Sequence, residues 1–321
     1  MRDDVLIVEI SGKRPGTSKQ RTTEKYPMKC KHIIVSNDSE GYETDWEIVN
    51  VPEDYKKWYI ENVKTSDKAW YAPMNRSYAI KYAREHGYKY LVQMDDNIKL
   101  LQIAYLIDKG SYSKRYTHTW SASDNLTDYV VDDFVDMMCA VLDNTNAGMC
   151  GMNLAAVIPD DSVITERYVY SFFTLKLDSC PDVFQGDFED DIEYRLKLAQ
   201  MGIPCVQLGF LQYGKQGGGG GKDFKDLTGC RAAYKEAGVK RGEHMRKLYG
   251  DIYSAGTTSK GISTNQKSRQ EGRFKHKLKT VKLGVKIKNA DFINSKIKVL
   301  LEKYAVEKKD SISLKEKEEK K

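Results

Sequence analysis

Tyr88-Lys89-Tyr90-Leu91-Val92-Gln93-Met94-Asp95-Asp96-Asn97 is an apolar run that ends in two carboxylates and an amide. Residues 88 to 94 predict a buried strand, whereas the three polar residues after it are poor strand formers and do not belong in a core. They therefore face a crevice at the strand's end. Side-chain oxygens of this kind suit a hard divalent cation, Mg2+ or Mn2+, bound together with substrate phosphates. The plainer alternative is that they cap the following turn through local hydrogen bonds.

Upstream, Pro73 to His86 predicts a helix, with Ala79, Ile80 and Ala83 at helical spacing and Gly87 as its stop. Its first turn carries Asn75 and Arg76, and that arginine suits a diphosphate, the nearby acids or a surface ion pair. Val5 to Ile10 and His32 to Val35 predict two further strands, the first ending in the turn Ser11-Gly12-Lys13-Arg14-Pro15. Strand, turn, helix and strand in succession imply an α/β fold. Its mostly parallel sheet would be covered by helices and would bind ligands beyond the carboxyl ends of its strands.

Downstream, the pattern predicts a helix over 127–143, strands near 147–157 and 168–177, a helix over 189–201 that stops at Gly202, and a strand over 205–210. Gln212-Tyr213-Gly214-Lys215-Gln216 and the five glycines 217–221 follow as a mobile loop or a backbone-lined ligand site. A second acidic constellation runs from Phe184 to Arg195, with Asp187, Glu189, Asp190, Asp191 and Glu193 inside seven residues. Helix capping explains one or two of these acids. One of the remainder is a candidate general base.

The 321 residues, 40% hydrophobic and 31% charged, exclude a disulfide-dependent miniprotein and a wholly disordered chain. No 18-residue apolar run and no signal-peptide pattern is present, which predicts a soluble, cytoplasmic protein without a membrane partner. The six cysteines contain no CxxC pair and read as reduced, mostly buried thiols. The five histidines show no metal-ligand spacing, and the GxSxG, Walker A and HExxH motifs are missing.

The net charge of +6 is unevenly spread: residues 257–321 hold 19 Lys plus Arg against 8 Asp plus Glu, and residues 1–256 hold 33 against 38. That split predicts a catalytic domain over 1–256 and a basic extension over 257–321, which is either a polyanion-binding arm or a solubilising tail. Within the extension, 257–272 reads as a polar linker, residues 281–288 alternate apolar with lysine, and Ile293, Ile297, Leu300, Leu301 and Tyr304 follow a helical period. The Glu/Lys-rich end is expected to be disordered.

Taken in order, Asn75-Arg76, Asp95-Asp96-Asn97 and Asp190-Asp191-Ile192-Glu193 resemble the GT-A fold of nucleotide-sugar glycosyltransferases over about residues 1 to 235. Met94 to Ile98, the helix from Phe188 to Gly202 and the glycine run are most similar to phage DNA-modifying glycosyltransferases related to the base J glucosyltransferase and the TET-associated family. The resemblance implies a nucleotide-sugar donor, most simply a UDP-sugar, and a hydroxymethylated pyrimidine in DNA as acceptor. It further implies an inverting reaction with Asp191, or Asp190 in the neighbouring register, as base. Asp95 and Asn97 would hold the metal. Arg76, Asn75, Asp96, Ser11, Lys13 and Arg14 would line the donor, and Gln212, Gln216, Gly217 and Gly218 would lie at the acceptor or on a loop. The fold's late histidine ligand has no counterpart between Gly202 and His244, where Gln212, Gln216 or a water would stand in. A bacteriophage origin would place the enzyme in the host cytoplasm. Two other readings are a Mg2+-dependent nuclease built from Asp95, Asp191 and Glu193, and a noncatalytic nucleic-acid-binding protein.

Overall fold

β1 (Val5–Ser11) is buried along its whole length, and its alternate residues enter two different cores. Val5 and Ile7 point to one face of the sheet, while Leu6, Val8 and Ile10 point to the other. A strand buried on both faces reads as continuous apolar sequence, and the central strand of a covered sheet must do so. The computed structural model describes residues 2–12, 14–15, 21–63, 71–106, 115–157, 163–185, 190–216, 246–258, 273–278, 283–306 and 312–314.

After β1 come β2 (Lys31–Ser36), β3 (Ile48–Asn50), α1 (Glu53–Asn62), α2 (Tyr71–Glu85) and β4 (Tyr90–Asp95). Pairing within β3-β2-β1-β4 is parallel throughout. α2 packs on β1, so Ala79, Ile80 and Ala83 join the core that holds Leu6 and Val8. Gly87, at φ 75°, closes α2 in the left-handed region that glycine tolerates.

The sheet then turns mixed. β5 (Ile98–Leu106) and β6 (Arg115–Ser121) form an antiparallel pair at one edge, followed by α3 (Val130–Asp143), β7 (Met149–Leu154), β8 (Ile164–Glu166), β9 (Phe172–Lys176), α4 (Asp190–Gln200) and β10 (Cys205–Lys215). The order across the sheet is β3-β2-β1-β4-β9-β7-β10-β5-β6, with β8 on β10. α3 covers the face opposite α2. Helices on both faces of an α/β sheet match the expected fold class.

Several features depart from the sequence expectation, the short strands β3 and β8 among them. Residues 98–106 and 115–121, without an element in the sequence reading, form β5 and β6, because Ile98, Leu101, Ile103 and Ala104 are buried without strict alternation. α1 is also new: tyrosines, Tyr55 and Tyr59, bury its inner face, so its hydropathy pattern is weak. The strand expected over 205–210 continues to Lys215, which turns Gln212 to Lys215 from loop into sheet. Finally, a hairpin joins β11 (Tyr253–Thr258) to β12 (Arg273–Leu278), so β11 runs across position 256, and Ile287 makes an isolated bridge to Thr145.

α5 (Ala290–Lys303) begins at Asn289, whose side chain accepts a hydrogen bond from the Phe292 amide. Its Ile293, Ile297, Leu300 and Leu301 enter the same core as α3 and the outer face of the sheet. No helix among the described residues is long and apolar enough to cross a membrane.

Candidate active site

β1 ends at Ser11 and neighbouring β4 at Asp95, so the residues after both strands share one edge of the sheet. The α/β rule predicts a ligand crevice at that edge. Asn75, near the start of α2, donates to the Ser11 carbonyl at 2.8 Å and to Asn37 Oδ1 at 3.2 Å, which pins the helix to the end of β1. Ser11 Oγ donates to Asp96 Oδ2 at 2.7 Å, and Arg14 Nη1 meets Asp96 Oδ1 at 2.5 Å. Four expected donor-site residues, Asn75, Ser11, Arg14 and Asp96, are thereby brought together. Burial pushes the Asp96 carboxyl up to about 6, with Arg14 and Ser11 pulling the other way.

Arg76 is the centre of the second group. Its Nη2 donates to Asp95 Oδ1 at 2.6 Å, its Nε to Asp190 Oδ2 at 2.8 Å and its Nη1 to Gln93 Oε1 at 3.2 Å. One buried guanidinium thus joins the end of β4 to the first turn of α4, regions almost a hundred residues apart in sequence. The rigid fork of arginine suits this bridging, and a lysine could not span the same three acceptors. Burial opposes the charge on Asp95, yet Lys215 and Arg76 outweigh it and hold the carboxyl below its ordinary range.

Asp190 and Asp191 open α4, with Asp191 Oδ1 accepting from the Ile192 amide at 2.8 Å. Burial raises both carboxyls, and for Asp191 the adjacent Asp190 adds to it, bringing the group to about 7 despite the opposing pull of Arg76. A carboxyl tuned to near neutrality is matched to general base work. Glu193 is different. It is fully buried, accepts from the Gln185 amide at 2.9 Å and bonds the Tyr249 hydroxyl. A nuclease centre needing Asp95, Asp191 and Glu193 around one cation is therefore not assembled.

Sequence reasoning did not single out Lys215 or Ser171. Lys215 Nζ lies 2.5 Å from Asp95 Oδ2 and 3.1 Å from Ser171 Oγ. The pairing of β10 with β5 slips between Gly214 and Lys215, and such a bulge re-aims a side chain. A Cβ at Gly214 would sit 2.7 Å from Leu100 Cγ, so only glycine lets β10 approach β5 there. Ser171 has φ 57°, rare for a non-glycine residue, and its carbonyl accepts from the Asp95 amide at 2.8 Å. The available signal was the Gly-Lys pair at the end of a buried strand on the ligand edge.

Gln212 is corrected to a structural role: fully buried in β10, it accepts from Gln102 at 2.5 Å and donates to the Val157 carbonyl at 3.0 Å. Gln216 does reach the site. Its amide donates to the Asn97 carbonyl at 2.8 Å, and Gln216 Oε1 and Asn97 Oδ1 are both buried without a partner among the described residues. Lys13, Gly217, Gly218, the rest of the glycine run, Asp187 and Glu189 lie outside the described residues.

The donor set can be tested against the divalent cation expected on Asp95 and Asn97. Asn97 Oδ1 is free to ligate, but both oxygens of Asp95 face Arg76 and Lys215, and both of Asp96 face Arg14 and Ser11. Among the described residues, no three His, Cys, Asp or Glu side chains converge as a metal site. A hard cation needs several oxygens turned toward it. The residues present do not fit one, because an ammonium and a guanidinium already neutralise the key carboxylate.

The sequence profile of the TET-Associated Glycosyltransferases matches residues 22–219, well over half of the chain. No curated protein matches it. Among solved structures, a putative nucleotide-diphospho-sugar transferase from Desulfovibrio desulfuricans G20 is similar at 12% identity and a TM-score of 0.32, with 77% of this chain and 99% of that one covered.

Proposed function

This chain belongs to the TET-associated glycosyltransferase family, and on that premise we propose that it moves a sugar from a nucleoside diphosphate donor to a hydroxymethylated pyrimidine in DNA. The chain is a glycosyltransferase; donor, acceptor and mechanism are the proposal. The observation that carries it is the Arg76 bridge, which gathers Asp95, Asp190 and, next in sequence, Asp191 at the ligand edge of the sheet.

Asp191 takes the proton of the acceptor hydroxyl as that oxygen attacks the sugar's anomeric carbon. The bond to the diphosphate breaks with its electron pair leaving on the diphosphate oxygen, and a single displacement of this kind inverts the anomeric centre. Arg76 orients Asp190 and balances the charge of the acids. Asn97 and Gln216 offer two acceptors, unpartnered among the described residues, for sugar hydroxyls. The excess of basic residues after 256 supports a polyanionic acceptor, and a base within a duplex would be flipped out to reach the site. The setting this fits is DNA hypermodification by a bacteriophage in its host's cytoplasm.

The test is label transfer from UDP-sugars to DNA containing 5-hydroxymethylcytosine or 5-hydroxymethyluracil, with the free hydroxymethyl nucleotides as a second arm. Asp191→Asn is expected to lower turnover about 100-fold or more, as loss of a general base does, with Asp190→Asn doing less. The reverse order passes the role to Asp190. Label on free nucleotides alone removes the polymer as acceptor.

A further inference from the structure

Lys215 is a basic side chain at this edge, close to Arg76, to which the displacement above gives no task. Its ammonium carries three N–H donors. Among the described residues, Asp95 Oδ2 and Ser171 Oγ take two, leaving one at a group that remains about a third exposed. The chain builds this placement with some effort: a bulge after Gly214, a glycine that alone fits against Leu100, and a buried serine held at positive φ. Non-glycine residues in that backbone region cluster at functional sites. An ordinary surface ion pair needs none of these features.

We propose that Lys215, backed by Arg76, holds the donor's diphosphate through its remaining N–H and offsets part of its charge, so that this enzyme binds its donor and transfers sugar without a divalent cation. The proposal rests on the glycosyltransferase reading above and assigns the cationic role within it. As the anomeric C–O bond breaks, the electron pair stays on the diphosphate oxygen and the acceptor's proton passes to Asp191. Lys215 keeps its protons and donates the free N–H to the developing charge. Asp95, which would otherwise be the cation's ligand, instead fixes the ammonium in position. Preorganised donors aimed at a leaving group act without reorganising at the moment of reaction.

The deciding experiment is calorimetric titration of the full chain with nucleoside diphosphates, UDP first and then GDP, CDP, ADP and TDP, in chelator and again in excess Mn2+. The expected result is equal affinity in both media for at least one of them. Lys215→Met should then weaken that affinity by about tenfold to a hundredfold, the loss of one hydrogen bond to a charged group, and Lys215→Arg should recover part of it. Thermal unfolding of the variants separates misfolding from lost binding. In chelator, turnover of the parent should be retained and that of Lys215→Met reduced about 10²–10³-fold. Binding of every nucleoside diphosphate only with Mn2+, or Lys215→Met binding as tightly as the parent, overturns the proposal. So does an absence of binding in both media. Chelator-resistant binding with no transfer to any DNA in either medium leaves the diphosphate assignment standing and removes the DNA acceptor instead, whereas transfer that needs Mn2+ overturns the metal-free reaction.

Discussion

Two sets of acid–base pairs hold distant parts of this chain together, and they do so in opposite surroundings. At the ligand edge, Arg76 is 5% exposed and its partners Asp95 and Asp190 are 20% and 13% exposed. On the far face, Lys303 pairs with Asp133 and Lys296 with Asp136, with side chains between 23% and 50% exposed. Out of water, a charge depends on its partner, and removing one leaves the other buried and uncompensated. In water the same pair contributes little beyond orientation. In the seam between α3 and α5, adhesion comes from Ile293, Ile297 and Leu301, all at 1% exposure or less.

The sharpest way to break this contrast is Arg76→Met, which keeps much of the volume and removes the fork. Asp190 then loses its described ion partner and Asp95 keeps only Lys215, so a loss of about 3–5 kcal/mol is expected from denaturant unfolding. Transfer should disappear with it. On the seam, the comparable loss should come from an apolar residue: Ile297→Ala is expected to cost about 2–5 kcal/mol. If Ile297→Ala unfolds the chain no more easily than the parent, α5 is not part of the shared core.

Asp191 sharpens the comparison through pH. Its folded value, about 7, lies above the ordinary 3.8 because burial and Asp190 disfavour the charge. The folded chain therefore binds this proton more tightly than the unfolded chain. The associated stability is fully present below pH 3.8 and is lost as pH rises through about 7. Asp191→Asn cannot lose it, so between pH 5 and 8 the variant should fall in stability less than the parent. Turnover runs the other way: kcat/KM should rise through about pH 7 as the base ionises. Identical slopes of stability against pH in parent and variant would place the shift elsewhere.

β1, β2 and β4 of the parallel half were legible because they are largely apolar runs that end at glycine, asparagine or aspartate, whereas the three-residue β3 is too short to carry a pattern. Asp95, Asp190 and Arg76 were legible for the complementary reason, that charges at strand and helix ends need an explanation. Lys215 was hidden because a single lysine after a strand is unremarkable until a bulge turns it onto a carboxylate. Gln212 misled for the same reason: polarity suggested a loop, whereas its amide is matched within the sheet by Gln102 and the Val157 carbonyl. The tail's charge was counted correctly in sequence, but counting does not say which lysines are already spoken for.

That distinction gives the smallest effect and the one most informative about the acceptor. Lys296 and Lys303 belong to the basic extension, yet both are turned onto acids of α3. Neutralising either to Gln should change stability by no more than about 1 kcal/mol. It should also leave the dependence of DNA affinity on salt almost unaltered, since an ammonium engaged within the protein releases few counterions from a phosphate backbone. Lys286, Lys288 and Lys298 are exposed on the same extension. Each of these that contacts a phosphate should, when changed to Gln, shallow the plot of log affinity against log salt by about 0.9 for duplex DNA or about 0.7 for single strands. Binding isotherms across a salt series, measured for the two sets of variants side by side, read the difference directly. Equal slopes for both sets and the parent would mean that the extension's described lysines are not a DNA-binding surface, and the acceptor would have to be engaged by the ligand edge alone.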